Sequence, residues 1–336
     1  MAEMQYRRMG RSGLKLSVIS LGTLWFGSKV DEATAIGMVD RALAAGINCI
    51  DTADIYGKER WDTPQRGPSE EIVGRALKGR RQSVVLATKV AALTGPGAND
   101  RGLNRKHIVE GVHESLRRLQ TDYIDLYYLH EPDYTTPLEE SLETMNDLVG
   151  QGKILYIGLS NYYAWQVCKA LWIADKKNLA GVDCIQMVYN LAARDAELEM
   201  TRLCEAEGVG INVWGALAGG MLSGKFLAYD PTRPPPPGVK PYPSTWEPRY
   251  FQAVTRLREI AGPRSLSQFS LAWMLTNPQV SSIVCGVSSV KQLEENLGSL
   301  DLEISADDSK ACDEVWQELR PTPTMFYARG YGIEFK

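Results

Sequence analysis

Three apolar runs in this chain each end in a side chain that can give, take or hold a proton. The run through Cys49-Ile50 ends in Asp51, with Tyr56 five residues later. Val84-Val85-Leu86-Ala87-Thr88 ends in Lys89, and Leu126-Tyr127-Tyr128-Leu129 ends in His130. A carboxylate, a phenol, an ammonium and an imidazole brought to one place suit proton delivery to a carbonyl oxygen as hydride reaches its carbon. A phenol with a pKa of about 10 is a weak acid at neutral pH, and a neighbouring ammonium is expected to lower that value. Asp51 would keep Lys89 charged and oriented, and His130 would polarise the carbonyl. Each residue has an ordinary reading alone: a lysine at a strand end is solvated, and a tyrosine after a strand packs. Four such groups converging point instead to a site.

Convergence requires elements that deliver the groups to one end of a sheet. Short β-branched or apolar runs at 18–23, 48–53, 84–90, 124–130, 154–160, 184–189, 210–217 and 281–287 read as eight strands. Between them lie stretches with helical spacing at 31–45, 69–77, 105–119, 138–149, 164–177 and 196–207. Asp31-Glu32 and Pro68-Ser69-Glu70-Glu71 are helix starts, and Gly46, Gly152 and Gly208 are helix ends. Strict strand–helix alternation implies a parallel sheet covered by helices, and eight repeats predict an α/β fold of the (β/α)8 TIM-barrel type. A dinucleotide-binding open sheet would need GxGxxG after its first strand, where this chain has Gly22-Thr23-Leu24-Trp25-Phe26-Gly27. An N-terminal β-hairpin turning at Arg11-Ser12-Gly13 and an extra C-terminal helix at 307–319 with an aromatic tail complete the expected single domain, 1–336. The proline-rich stretch 227–248 follows the seventh strand and is expected either to shape the barrel mouth as a lid or to be a surface insertion.

Composition narrows the partners. The 336 residues are 44% hydrophobic and 23% charged with net charge −4, which fits a globular domain. No basic block marks a nucleic-acid or anionic-membrane surface. Residues 1–10 contain no apolar signal segment, and no run approaches about eighteen apolar residues, so a cytoplasmic protein is expected. The six scattered cysteines read as structural thiols, and the three histidines (His107, His113, His130) lack ligand spacing, so no metal is expected.

Longer phrases carry a resemblance. Asp51-Thr52-Ala53-Asp54-Ile55-Tyr56-Gly57, Ala87-Thr88-Lys89-Val90, Leu129-His130-Glu131-Pro132 and Gly158-Leu159-Ser160-Asn161-Tyr162 occur in that order, followed by Gln186-Met187-Val188-Tyr189-Asn190 and Gly219-Gly220-Met221-Leu222-Ser223-Gly224-Lys225. Over nearly its whole length the chain resembles the aldo-keto reductases, in the branch that includes potassium-channel β subunits and bacterial general-stress reductases. The resemblance implies a catalytic tetrad of Asp51, Tyr56, Lys89 and His130. It implies that Gly22, Thr23, Leu24 and Asp51 face a nicotinamide cofactor, that Ser160, Asn161 and Gln186 hold its carboxamide, and that Trp214 stacks on the ring where tyrosine is common. Gly215 replaces a frequent serine, leaving backbone amides of Ala216, Leu217 and Gly219 for the pyrophosphate, with Lys225 nearby. Gly286, Ser288, Gln292, Glu295 and Asn296 match the adenosine-phosphate segment. No acidic residue sits at the turn before the helix to repel a 2′-phosphate, which implies NADPH rather than NADH. The implied function is NADPH-dependent reduction of an aldehyde or ketone, a keto-sugar or natural-product ketone included, with Tyr56 as proton donor. The alternative is an NADPH-binding, redox-sensing regulatory subunit with little turnover. Trp25, Trp61 and Tyr162 are the expected lining for a small carbonyl substrate, and a homo-oligomer is compatible with the branch.

Overall fold

Alternation along the strands decides this architecture. The computed structural model describes residues 3–59, 63–236 and 246–320. Strands β1 (Tyr6–Arg8) and β2 (Lys15–Ser17) pair antiparallel as the expected hairpin. Eight further strands follow: β3 (Ile19–Gly22), β4 (Cys49–Asp51), β5 (Val85–Val90), β6 (Ile124–Leu129), β7 (Ile154–Ser160), β8 (Cys184–Val188), β9 (Gly210–Trp214) and β10 (Val280–Gly286). All eight pair in parallel, and β10 closes on β3 to complete the barrel in sequence order. In β5, Val85 and Ala87 point inward and pack with Cys49, Leu126, Tyr128 and Cys184, while Leu86 and Val90 join the outer core under the helices. Met9 and Leu16, both fully buried, belong to the inner cluster, so the hairpin plugs the amino-terminal end of the barrel.

The outer layer is α1 (Glu32–Ala44), α2 (Ser69–Ala76), α3 (Arg105–Leu119), α4 (Leu138–Gly150), α5 (Ala164–Lys177), α6 (Met200–Glu207), α7 (Pro248–Ala261), α8 (Leu266–Leu275) and α9 (Val290–Leu297), with α10 (Ala306–Leu319) packed on α7. Asp31 caps α1 by accepting from the Thr34 amide, Asn104 caps α3 through the His107 amide, and Gly208 ends α6 in the left-handed conformation. The helix expected from 196 starts at Met200 instead, because Asp195–Glu197 forms a separate 3-10 turn. Two helices between β9 and β10 were not among those expected, although Phe251, Val254, Leu257 and Ala261 give α7 one apolar face. From Leu266 to Met274 only Gln268 of α8 is not buried, which erases the one-sided pattern by which a helix is recognised, and α7 begins on a proline directly after the proline-rich stretch.

That stretch is anchored in its described part. Trp246 packs edge-on against Phe226, Tyr229 and Phe251, and its indole N–H donates to the Arg233 carbonyl at 3.0 Å. Residues 237–245, on which the lid expectation depends, and the tail from 321 lie outside the described residues. Of the six free cysteines five are buried, and Cys168, in α5, is exposed.

Candidate active site

The inward parity of each strand carries to its carboxyl end. Asp51 follows Cys49 by two residues, Lys89 follows Ala87, Ser160 follows Gly158, Gln186 follows Cys184 and Trp214 follows Asn212, so each faces the axis at the mouth. His130 continues β6 in the same parity, and its amide donates to the Val90 carbonyl at 2.9 Å. Tyr56 arrives on the β4–α2 turn. Its amide donates to Ala53 at 3.1 Å, and the Gly57 amide donates to Leu24 at 3.0 Å. Gly57 has φ +85, and a Cβ there would lie 2.1 Å from the Phe26 carbonyl oxygen, so this turn needs glycine.

The four groups meet. Lys89 Nζ donates to Asp51 Oδ1 at 2.5 Å and to the Thr52 carbonyl at 2.7 Å, and lies 4.6 Å from the centre of the Tyr56 ring. Tyr56 and His130 pack edge to face with centroids 5.9 Å apart. Gln186 Nε2 donates to Asp51 Oδ2 at 2.7 Å, so both oxygens of this buried carboxylate are engaged. Burial works to lower the Lys89 pKa, but Asp51 and the Tyr56 hydroxyl overcome it and raise the value, so the ammonium persists. Burial and the Lys89 charge together push His130 down to about 3, which keeps the imidazole neutral. The Tyr56 phenol departs from expectation. Burial raises its pKa by more than Lys89 lowers it. The cause is the low-dielectric floor of the barrel, which penalises the phenolate.

Above this floor opens a cavity of about 320 Å³. Tyr56, His130, Ser160, Asn161, Gln186, Trp214 and Leu24 line it, all anticipated, together with Ile55, Ala92 and Glu131, which were not. Adjacency would have found two of these, since Ile55 precedes Tyr56 and Glu131 follows His130. Trp214 Nε1 donates to Asn161 Oδ1 at 3.0 Å, and Asn161 Nδ2 donates to the His130 carbonyl at 2.9 Å. Asn161 itself sits in the left-handed region at φ +64.

The remaining expected cofactor residues divide. Gly215, Gly219 and Gly220 have φ of +68, +66 and +96, a backbone that a serine at 215 would strain. The Gly215 carbonyl accepts from Asn190 Nδ2 and the Ala218 amide at 2.9 and 2.8 Å. Ala216 and Leu217 lead into this curl, and Lys225 lies across Gly220 with its ammonium 4.8 Å from the Phe226 ring centre. Gly22 and Gly286 face each other at the ends of β3 and β10. Five residues are spent on internal contacts. Thr23 donates to the Asp51 carbonyl from its buried hydroxyl at 3.1 Å. Gln292 Oε1 accepts from the Ser288 amide and hydroxyl at 2.9 and 3.1 Å. Glu295 accepts from Ser265 Oγ at 3.0 Å, and Asn296 is buried against Cys285.

The two described residues among the three expected for the substrate do not line the cavity. Trp25 is partly buried against the core with Lys29 Nζ 3.8 Å over its ring, Tyr162 is 6% exposed and off the lining, and Trp61 lies outside the described residues. Behind Tyr56 lies a polar cluster the spacing did not announce. Glu70 pairs with Arg118 at 2.5 Å and accepts from Thr88 at 2.6 Å. Next to it Asp54 is fully buried with neither carboxylate oxygen hydrogen-bonded, and burial and then Glu70 push it up to about 7.

Among the described residues no helix is long and apolar enough to cross a membrane. The chain is 34% identical over 319 residues to a probable voltage-gated potassium channel subunit beta of Arabidopsis thaliana, and 36% over 319 residues to one of Oryza sativa subsp. japonica; each match covers 89% of this chain and 92% of the relative. It is 35% identical over 323 residues, covering 93% of this chain and 96% of the relative, to the uncharacterized oxidoreductase YrpG of Bacillus subtilis. The model of the aldo/keto reductase family matches residues 18–317. The chain with this barrel and this cavity therefore belongs to the aldo/keto reductase family, and so to the oxidoreductases that reduce carbonyl compounds.

Proposed function

We propose that the protein reduces an aldehyde or ketone to the alcohol with NADPH, and that Asp51, Tyr56, Lys89 and His130 are its catalytic residues. The observation that carries the reading is a buried ammonium, Lys89, held between Asp51 and the Tyr56 ring at the floor of a cavity that His130 also lines. A charge placed there is costly unless it has work to do.

The residues fit a nicotinamide dinucleotide. The cavity wall offers the amides of Asn161 and Gln186 and the Ser160 hydroxyl beside a flat aromatic, Trp214. The glycine curl at 215–220 offers backbone N–H groups where side chains would intrude. The start of α9, capped by Ser289, is a place for a phosphate. When bound, the cofactor supplies hydride to the carbonyl carbon. The protein does the rest. Tyr56 donates its hydroxyl proton to the carbonyl oxygen, Lys89 stabilises the phenolate left behind, and Asp51 holds Lys89 in place. His130, neutral at physiological pH, donates a hydrogen bond to the same oxygen. A Tyr56 pKa above the ordinary value keeps the donor protonated until it is used.

The test is cofactor consumption with NADPH and then NADH over aldehydes, ketones and keto-sugars. Tyr56→Phe should reduce kcat at least about a hundredfold while leaving NADPH binding in place; a fully active mutant would end the mechanism. A second reading has one observation in its favour: two relatives are named as potassium channel β subunits. In that reading the chain binds NADPH, turns over slowly and acts on a partner. Tight NADPH binding without turnover on any carbonyl, together with a stable complex with a membrane protein, would favour it. Assembly into a homo-oligomer is compatible with both.

A further inference from the structure

The cavity is electrically lopsided. Its cofactor side carries neutral hydrogen-bonding groups, and its floor carries Lys89 and Asp51, which neutralise each other at 2.5 Å. His130 is uncharged because burial and Lys89 suppress its protonation. Leu24, Ile55, Ala92 and Trp214 add apolar surface. Among the described lining residues this leaves one uncompensated formal charge, the carboxylate of Glu131. Glu131 is exposed, directly follows His130, and makes no hydrogen bond or ion pair to any described residue. Burial first of all holds the Tyr162 hydroxyl, which lies off the cavity lining, in its neutral form, and Asp133, Tyr134 and lastly Glu131 add to it. A carboxylate left unpaired at the rim of a largely apolar pocket acts on whatever enters it, because low-dielectric walls focus its field into the opening.

We propose that Glu131 determines specificity: it selects carbonyl compounds that carry an ammonium or other strong hydrogen-bond donor, and rejects those that carry a carboxylate or phosphate. This rests on the reading of the cavity as a carbonyl-reducing site. A donor on the substrate meets a free acceptor at the rim. An anionic substrate meets like charge there and has no free cation among the described lining residues to answer it, because Lys89 on the floor is already neutralised. Discrimination of this kind comes from repulsion of the wrong ligand as much as from attraction of the right one.

Three matched probes test it: para-(dimethylaminomethyl)benzaldehyde, protonated at neutral pH and carrying an N–H donor, the donor-free methyl para-formylbenzoate, and para-carboxybenzaldehyde, which differ mainly in charge. Their binding to the protein is measured by calorimetry, and their reduction by NADPH consumption, for the wild type and for Glu131→Gln and Glu131→Lys. The wild type should prefer the cationic over the anionic probe, in both Kd and kcat/KM. Glu131→Gln should change the anionic-to-neutral ratio by between about three- and tenfold in favour of the anion, the range for one partly solvated charge contact. Glu131→Lys should reverse the order, and high salt should shrink the wild-type preference. An identical probe order in all three proteins would overturn the proposal. Binding orders that follow residue 131 while no probe is reduced would keep the specificity assignment and remove the reductase reading, so the two failures are separable.

Discussion

Gln186 Nε2 donates to Asp51 Oδ2 at 2.7 Å, on the oxygen opposite the one that holds Lys89. A side chain on the cavity wall is thereby tied to the carboxylate that positions the ammonium. The same bond fixes the amide's orientation, because a carboxylate accepts only from the nitrogen end. Gln186→Leu should leave the buried Asp51 oxygen unpaired, costing about 1–3 kcal/mol of stability and lowering kcat as well as cofactor affinity. Gln186→Glu sets two carboxylates against each other, so its activity should recover as pH falls toward 5. Activity in Gln186→Glu that is flat with pH would show that the contact does not matter.

Lys89 and Asp51 form a pair with almost no solvent exposure, so removing either partner strands a charge. Lys89→Met should cost about 3–5 kcal/mol, read as a fall in the denaturant midpoint. Combining it with Asp51→Asn should recover part of that stability and none of the activity. A double variant no more stable than the single one would contradict the pairing argument.

Asp54 gives the stability of the protein a pH dependence of definite sign. Its pKa stands at about 7 in the folded state because of burial and then Glu70, and near 4 when unfolded. The native state therefore binds the extra proton between those values, and its stability falls as pH rises through that window. Asp54→Asn removes the titration. Its melting temperature should exceed the wild type's at pH 8, by an amount on the order of a few kcal/mol in stability, with a smaller gain at pH 5. An equal difference at the two pH values would rule out ionised Asp54 as the cause.

Trp214 supplies a donor that tyrosine could not place at the same spot, its indole N–H on Asn161 Oδ1 at 3.0 Å. Trp214→Phe keeps an aromatic face and loses the donor, so Asn161 is freed to turn. NADPH affinity should weaken about fivefold, the worth of one ordinary hydrogen bond, and Trp214→Tyr should not restore it. Rescue by tyrosine would mean that stacking alone is what the position provides.

Eight runs of strand character at regular spacing were enough for the barrel, because a closed parallel sheet buries both faces of every strand and leaves each as an apolar run. The same periodicity brought Asp51, Lys89 and His130 to one end of the barrel, since a polar residue that ends such a run keeps its inward parity, whereas Tyr56 reaches the cavity on the turn after β4. The helix α8 was illegible for the converse reason: buried almost all round, it leaves no pattern to read.

The amino-acid sequence by itself determined the barrel, its N-terminal hairpin and the delivery of Asp51, Lys89 and His130 to one end of it, because these depend on parity and order along single strands. Tertiary structure alone decided what surrounds them. It withdrew Trp25 and Tyr162 from the cavity and brought in Ile55, Ala92 and Glu131. It spent Thr23, Gln292 and Glu295 on internal hydrogen bonds, and it raised the Tyr56 pKa where a nearby lysine alone would have lowered it. Exposure, partner choice and desolvation are sums over neighbours far apart in the chain, and no local spacing encodes them.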